Sequence, residues 1–233
     1  MKTIYKITII MSLAILGVSC SDDECGYELE MLEPPCEESC ELLTDFELDD
    51  LGPASNWQSI NAINVEIISR NGSQVLQAVD ASGSSVVYNN IDFPSDFIAA
   101  GCELQYDVEY EAGSSNSATS DNSIGIYQGG NIATGSPRAF FVLNSASLIQ
   151  SNAAPVTISV PLELASGGSL PSNSMGEWVL AGVTGPLTPA DIATFNSLIQ
   201  NTVGLGFGLD EGSNPSERWY WDNFCFKQCC PID

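Results

Sequence analysis

The sequence predicts an all-β fold, a sandwich or barrel of short strands, and three observations lead there. In CELQYDVEY, residues 102–110, Cys102, Leu104, Tyr106, Val108 and Tyr110 alternate strictly with Glu103, Gln105, Asp107 and Glu109, the period of a strand with one face buried and one wet. Further apolar runs at 74–79, 84–88, 123–128, 138–144, 155–160, 176–181, 203–209 and 218–226 are separated by clusters of Gly, Ser, Asn and Pro that punctuate as turns. From Leu42 onward about 190 residues follow with no internal repeat, the size of one all-β domain.

Taken from the start, Lys2 and Lys6, the apolar run 7–18 and Ser19 before Cys20 read as a secretion signal, too short to span a bilayer as a helix. A signal ending at a cysteine resembles that of a bacterial lipoprotein, although Gly17 stands where that family prefers a large aliphatic residue and Leu16 lies one place earlier. The resemblance implies removal of residues 1–19 and a lipid on Cys20. The acidic Ser21-Asp22-Asp23-Glu24 resembles runs that send lipoproteins to the outer face of the outer membrane. An ordinary secreted protein cut nearby is the alternative. Residues 20–41, rich in Glu, Pro and Cys without apolar periodicity, read as a tether, leaving 42–233 for the domain.

One helix interrupts the strands near residues 189–200. Thr188 is a fit N-cap, Pro189 suits the first helical position, Asp191 sits in the first turn, and Ile192, Phe195, Leu198 and Ile199 form an apolar stripe expected to cover one end of the sandwich.

Charge excludes whole classes of function. The net charge is −24, and loss of the signal removes Lys2 and Lys6 but no acid, leaving Arg70, Arg138, Arg218 and Lys227 as the cations. Nucleic acid and anionic lipid surfaces need basic patches, so neither is an expected partner. With no histidine, Ser-His-Asp and Cys-His catalysis and His-based zinc sites are ruled out, and any chemistry must rest on carboxylates. The candidates are Asp107, Glu109 and Glu111, at every second place on one strand face. They resemble the alternating acidic triplet of laminarinase-type sandwich hydrolases, whose order is Glu-x-Asp-x-Glu. That resemblance implies a nucleophile and an acid about 5–5.5 Å apart. A solvated outer strand face explains the same residues without chemistry.

Eight cysteines point to an oxidising compartment. With Cys20 lipidated, the remaining Cys25, Cys36, Cys40, Cys102, Cys225, Cys229 and Cys230 are odd in number and allow at most three bridges. The neighbours Cys229 and Cys230 would form a strained ring, so each is expected to pair elsewhere.

Asp45-Phe46-Glu47 near the start and Trp221-Asp222-Asn223-Phe224 near the end look like the first and last strands of jelly-roll carbohydrate-binding modules of the galactose-binding-domain-like type. The resemblance implies a jelly-roll β-sandwich of two antiparallel sheets, with residues 44–48 antiparallel to 220–226. It then implies bridges between Cys36 or Cys40 and Cys229 or Cys230. Cys102 and Cys225, both within strands, are candidates for a third, leaving Cys25 unpaired. It also implies a structural calcium held by Glu47 and Asp222, with Asp45 as a further ligand.

Such modules set aromatic faces against sugar rings, so Trp57, Tyr127, Trp178, Trp219 and Trp221, with Arg138 beside them, are the candidate ligand contacts, although aromatics also dominate cores. Alternation puts Trp219, Trp221, Asn223 and Cys225 on one face of the last strand, and Arg218, Tyr220, Asp222, Phe224 and Phe226 on the other. In VGLGFGLD, Gly204, Gly206 and Gly208 form a bare face that admits a ligand or a bulky neighbour. The expected function is a lipid-anchored, non-catalytic glycan-binding module at the outer membrane. A carboxylate glycosidase and an adhesive surface protein with a protein partner are the alternatives.

Overall fold

The computed structural model describes residues 39–44, 46–47, 52–53, 56–80, 85–113, 118–209 and 217–229. In chain order the strands are β1 (Ser39–Thr44), β2 (Gly52–Pro53), β3 (Trp57–Ile60), β4 (Ala62–Arg70), β5 (Ser73–Asp80), β6 (Val86–Asn89), β7 (Glu103–Glu111), β8 (Thr119–Ser120), β9 (Ile124–Tyr127), β10 (Arg138–Leu143), β11 (Ile149–Gln150), β12 (Val156–Pro161), β13 (Gly176–Leu180), β14 (Gly204–Gly208) and β15 (Arg218–Gln228). Two helices, α1 (Phe97–Ala100) and α2 (Pro189–Gln200), accompany them.

Among the described residues the first sheet runs β12-β7-β15-β5-β4-β2, with β1 added alongside β15, and the second runs β13-β10-β9-β14-β6-β3. Every strand pair in both sheets is antiparallel. The fold is an all-β sandwich, as the period-two pattern predicts. Strand β7 buries Leu104, Tyr106, Val108 and Tyr110 and turns its polar partners outward. Against them, from the second sheet, pack Ile124, Ile126, Phe141, Leu205 and Phe207.

The helix α2 forms where expected, with reciprocal capping: Thr188 N donates to Asp191 Oδ2 at 2.8 Å and Asp191 N to Thr188 Oγ1 at 3.3 Å. The Thr188 hydroxyl, which donates to Asp191 Oδ2 at 2.6 Å, and then Thr188 N hold the Asp191 carboxyl below its ordinary value. Phe195, Leu198 and Ile199 are buried, and Phe195 meets the ring of Trp178 at 5.7 Å.

The first and last strands are antiparallel neighbours, but four corrections follow. The pairing starts earlier, with Ser39 opposite Gln228 and Thr44 opposite Phe224, so the sheet reaches into the segment expected to be tether. Phe46 does not continue the strand: its φ of 59° turns the chain and drops the ring into the core against Phe224.

The second correction lies within β15. Opposite β7, Asp222 pairs with Asp107 but Cys225 with Gln105, so β15 carries one extra residue, and Asn223 there adopts φ 54°. This bulge reverses the alternation. Phe224 and Phe226 join Trp219 and Trp221 in the core, while Tyr220, Asp222 and Cys225 face outward.

The third correction concerns sulfur. The bridges are Cys40–Cys225, with Cα atoms 5.6 Å apart, and Cys102–Cys229, at 5.7 Å. The expected Cys102–Cys225 bridge does not form, and Cys40 reaches into the last strand rather than beyond it. Register is the reason: Leu42 pairs with Cys225, which the bulge has turned outward, whereas Cys102 N donates to Lys227 O and so lies beside Cys229. The expectations for residues 1–38, including Cys20, Cys25 and Cys36, and for Asp45 and Cys230, lie outside the described residues.

The fourth correction removes the aromatic platform. Trp57, Tyr127, Trp178, Trp219 and Trp221 are all core residues, at 7%, 0%, 3%, 0% and 0% exposure. Three of the indoles find their hydrogen-bond partner inside: Trp178 Nε1 donates to Pro161 O, Trp219 Nε1 to Leu209 O and Trp221 Nε1 to Asn122 Oδ1. Arg138 likewise serves the fold, donating to the carbonyls of Ile132 and Ala133. That loop covers the glycine face, and a Cβ on Gly206 would lie 3.1 Å from Ile132 Cγ2 and 2.7 Å from Tyr88 Cβ. The bare face is therefore filled by neighbouring groups at Gly204 and Gly206 and open at Gly208.

Candidate functional site

The outer face of the first sheet carries the polar residues that sheet alternation expels from the core. Where β5, β15, β7 and β12 run side by side, a cavity of about 210 Å³ opens, walled by Arg70, Ser73, Asp107, Glu109, Tyr220 and Asp222, with Asn223 at its edge. Each wall residue owes its place to a local device. Arg70 ends β4 at a tight hairpin whose corner, Asn71-Gly72, has φ 53° and 93°, values that asparagine and glycine tolerate. Asp107, Glu109 and Glu111 lie on the outward side of β7, Glu109 itself being buried. Alternation in β15 turns the Asp222 carboxylate to the cavity, and the bulge that follows brings the Asn223 amide there.

Two clusters divide the face. In the first, Arg70 grips Glu109 bidentately, Nε to Oε2 at 2.8 Å and Nη2 to Oε1 at 2.5 Å. The guanidinium lies over the Tyr220 ring, Cζ 3.7 Å from its centroid. Tyr220 Oη donates to Glu111 Oε2 at 2.9 Å, and Arg218 Nη1 is 3.3 Å from Glu111 Oε1. The bond to Glu109 is the main reason that Arg70 is held above its ordinary pKa. Burial, then the bond to Glu111, pushes the Tyr220 phenol up to about 12.

In the second cluster, Thr157 Oγ1 donates to Asp107 Oδ1 at 2.5 Å and Asn223 Nδ2 to Asp107 Oδ2 at 2.7 Å. Asn223 N donates to Asp222 Oδ1 at 2.9 Å. The Ser73 hydroxyl stands between two carboxylates, 2.5 Å from Glu47 Oε1 and 3.0 Å from Asp222 Oδ2. Burial first, then the charges of Asp107 and Glu47, raise the Asp222 carboxyl above its ordinary value, against the hydrogen bonds from Asn223 and Ser73. The exposed Glu47 is shifted the other way by Ser73 and by Gln74 N.

The triplet Asp107, Glu109 and Glu111 thus shares one face but is already occupied. Both oxygens of Glu109 face Arg70, those of Asp107 accept from Thr157 and Asn223, and those of Glu111 lie toward Tyr220 and Arg218.

The pair expected to hold calcium, Glu47 and Asp222, does converge. A hydroxyl has one proton, so Ser73 can satisfy only one of the two carboxylate oxygens beside it at a time. Gln74, whose N donates to the same Glu47 oxygen, has its Oε1 buried without a donor. An excess of hard oxygens over protons is what a calcium ion fits. Among the described residues no third carboxylate or thiolate completes a cage.

Arg70, Ser73, Thr157, Tyr220 and Asn223 were not among the candidates drawn from the sequence. For Arg70 the available signal was scarcity, since in so acidic a chain a cation is bound to pair with carboxylates. For Asn223 there was none, because only the bulge gives it a role.

No protein-family model matches the chain, and no curated protein matches it in sequence. Solved structures do match. A chain from a structural analysis of an exo-β-agarase aligns over 82% of this chain and 25% of its own length, at TM-score 0.54 and 12% identity. A family 11 carbohydrate-binding module of the cellulosomal cellulase Lic26A-Cel5E of Clostridium thermocellum aligns over 82% of this chain and 96% of its own, at TM-score 0.48 and 14% identity. The mannan-recognising module TmCBM27 covers 84% and 97%, at TM-score 0.36 and 10% identity. Of these three, the agarase segment shares the sandwich, a quarter of that chain; at such identity the likeness is one of fold alone.

Proposed function

We propose that this protein is a non-catalytic glycan-binding module, held at the outer membrane by a lipid on Cys20, that engages its ligand on the outer face of the first sheet. The observation that carries this reading is the cavity itself. It is lined by a guanidinium, carboxylates, a hydroxyl and an amide, each fixed by a partner, as sites that orient hydroxyl-rich ligands require. A calcium ion at Glu47, Asp222 and Ser73 would brace its rim. It would supply positive charge there and no chemistry.

The test is retardation on native gels by a panel of soluble and insoluble polysaccharides, with the variants Asp107→Ala and Asn223→Gly. Glycine tolerates the backbone angle at 223, so that variant loses the amide and keeps the bulge. Each is expected to weaken binding about tenfold, the effect of one lost hydrogen bond to a charged group, with an unchanged melting temperature. In cells the wild type should fractionate with membranes and Cys20→Ser should not. Retardation unaltered by both cavity variants would place the site elsewhere; failure on every glycan would overturn the reading. The carboxylate triplet leaves one rival: hydrolysis of any glycan, lost in Glu109→Gln, would make the chain a glycosidase.

A further inference from the structure

Resting on the glycan-binding reading, we infer that the cavity selects neutral, hydroxyl-rich polysaccharides and rejects chains bearing carboxylate or sulfate. The argument is one of charge and of hydrogen-bond supply. Asp107, Glu109 and Asp222 wall the cavity with Glu111 and Glu47 close by, and in the calcium-free protein the cations on hand are Arg70 and Arg218. Arg70 offers an anion no free fork, and Arg218 does not line the cavity. Arg70 turns Nε and Nη2 to Glu109 and lies on the Tyr220 ring, while Arg218 turns Nη1 to Glu111.

What the walls do offer is acceptors. Each oxygen of Asp107 and Asp222 takes one bond from Thr157, Asn223 or Ser73 and keeps a second lone pair for a ligand donor. Sugar hydroxyls supply donors. Carboxylate and sulfate groups supply only acceptors, and they bring a like charge within a few ångströms of the carboxylates of Asp107, Glu109 and Asp222 that wall the cavity. The site is thus selective by repulsion as well as by fit.

The experiment compares matched pairs by calorimetric titration with chelator present: a neutral galactan and its sulfated form, and a neutral glucan and the same chain oxidised to the uronate. At low ionic strength each neutral member is expected to bind about tenfold tighter or more, the scale of one unscreened like-charge contact near a protein surface. Raising the salt should narrow the gap, because the repulsion is screened within about 10 Å at 0.1 M. Asp107→Asn keeps an acceptor for Asn223 and removes one charge. It and Asp222→Asn should each strengthen binding of the sulfated galactan at least threefold. Equal or tighter binding of the acidic members by the wild type would overturn the charge selection while leaving glycan binding intact. Binding of neither member of either pair would overturn both.

Discussion

At the scale of single residues, Asp222 shows how position decides charge. It stands on the outer face because it alternates with the buried Trp221, and it is half-buried between Asp107 and Glu47. Burial and those two charges make the ionised form less favourable in the folded chain than in the unfolded one. Folded Asp222 therefore holds its proton to higher pH. The stability this contributes is present below the unfolded carboxylate range, near pH 3.9, and falls as pH rises through the raised folded value. Asparagine removes the penalty. With chelator present, the melting temperature of Asp222→Asn relative to wild type is expected to climb between about pH 3 and pH 7. Calcium should reverse the ranking at neutral pH, raising the wild type and leaving the variant unmoved. A pH-independent difference would mean that the charges around Asp222 are not felt there, and a wild type indifferent to calcium would remove the ion from Glu47 and Asp222.

At the scale of elements, the glycine strand β14 is a packing device. Gly206 lies under Ile132 of the loop 128–137 and beside Tyr88, and a Cβ there would also stand 2.6 Å from Val87 O, a backbone atom that cannot swing away. Gly206→Ala is accordingly expected to cost about 1–3 kcal/mol, as overpacking does, read as a lowered denaturation midpoint with unchanged slope. A midpoint equal to wild type would mean that the loop lifts freely and that the glycine face is available after all.

The strands with unbroken alternation, β7 above all, and the capped helix α2 were legible in the sequence, since one buried face writes its period directly into the residues. Strand β4 was not, although the Asn71-Gly72 corner after it is a hairpin signal. The register of β4 shifts between Ile63 and Glu66, with Asn64 at φ 51°, and this breaks the period that would announce a strand. The same cause hid the faces of β15. A bulge adds a residue without any apolar mark, so Phe224 and Phe226 read as partners of Tyr220 when they belong with Trp219 and Trp221. The candidate site suffered most. Its acidic strand could be read, but its tryptophans could not be told from core, and Arg70 and Asn223 reach it only through a hairpin corner and a bulge.

For the whole molecule, β15 is the hinge of the architecture, hydrogen-bonded to β7 along one edge and to β5 and then β1 along the other, with the bulge where β5 gives way to β1. Both bridges of the described chain end on this strand or just past it. Cys40–Cys225 closes a separation of 185 residues and Cys102–Cys229 one of 127. Loop-closure entropy grows only with the logarithm of length, so the two differ by a few tenths of a kcal/mol, and each should contribute about 2–5 kcal/mol. They are not independent. With either bridge closed, the unfolded chain is already a ring through β15, and the second bridge then restricts a shorter path. Each double alanine variant, Cys40→Ala with Cys225→Ala or Cys102→Ala with Cys229→Ala, should therefore lose less than the bridge would contribute alone. Removing all four sulfurs should cost more than the sum of the two separate losses, as read from denaturant midpoints at matched slopes. Strict additivity would mean that the two loops do not share the β15 path, and unreduced peptides joining Cys102 to Cys225 would show that the register of β15 against β7 and β1 is different from the one described.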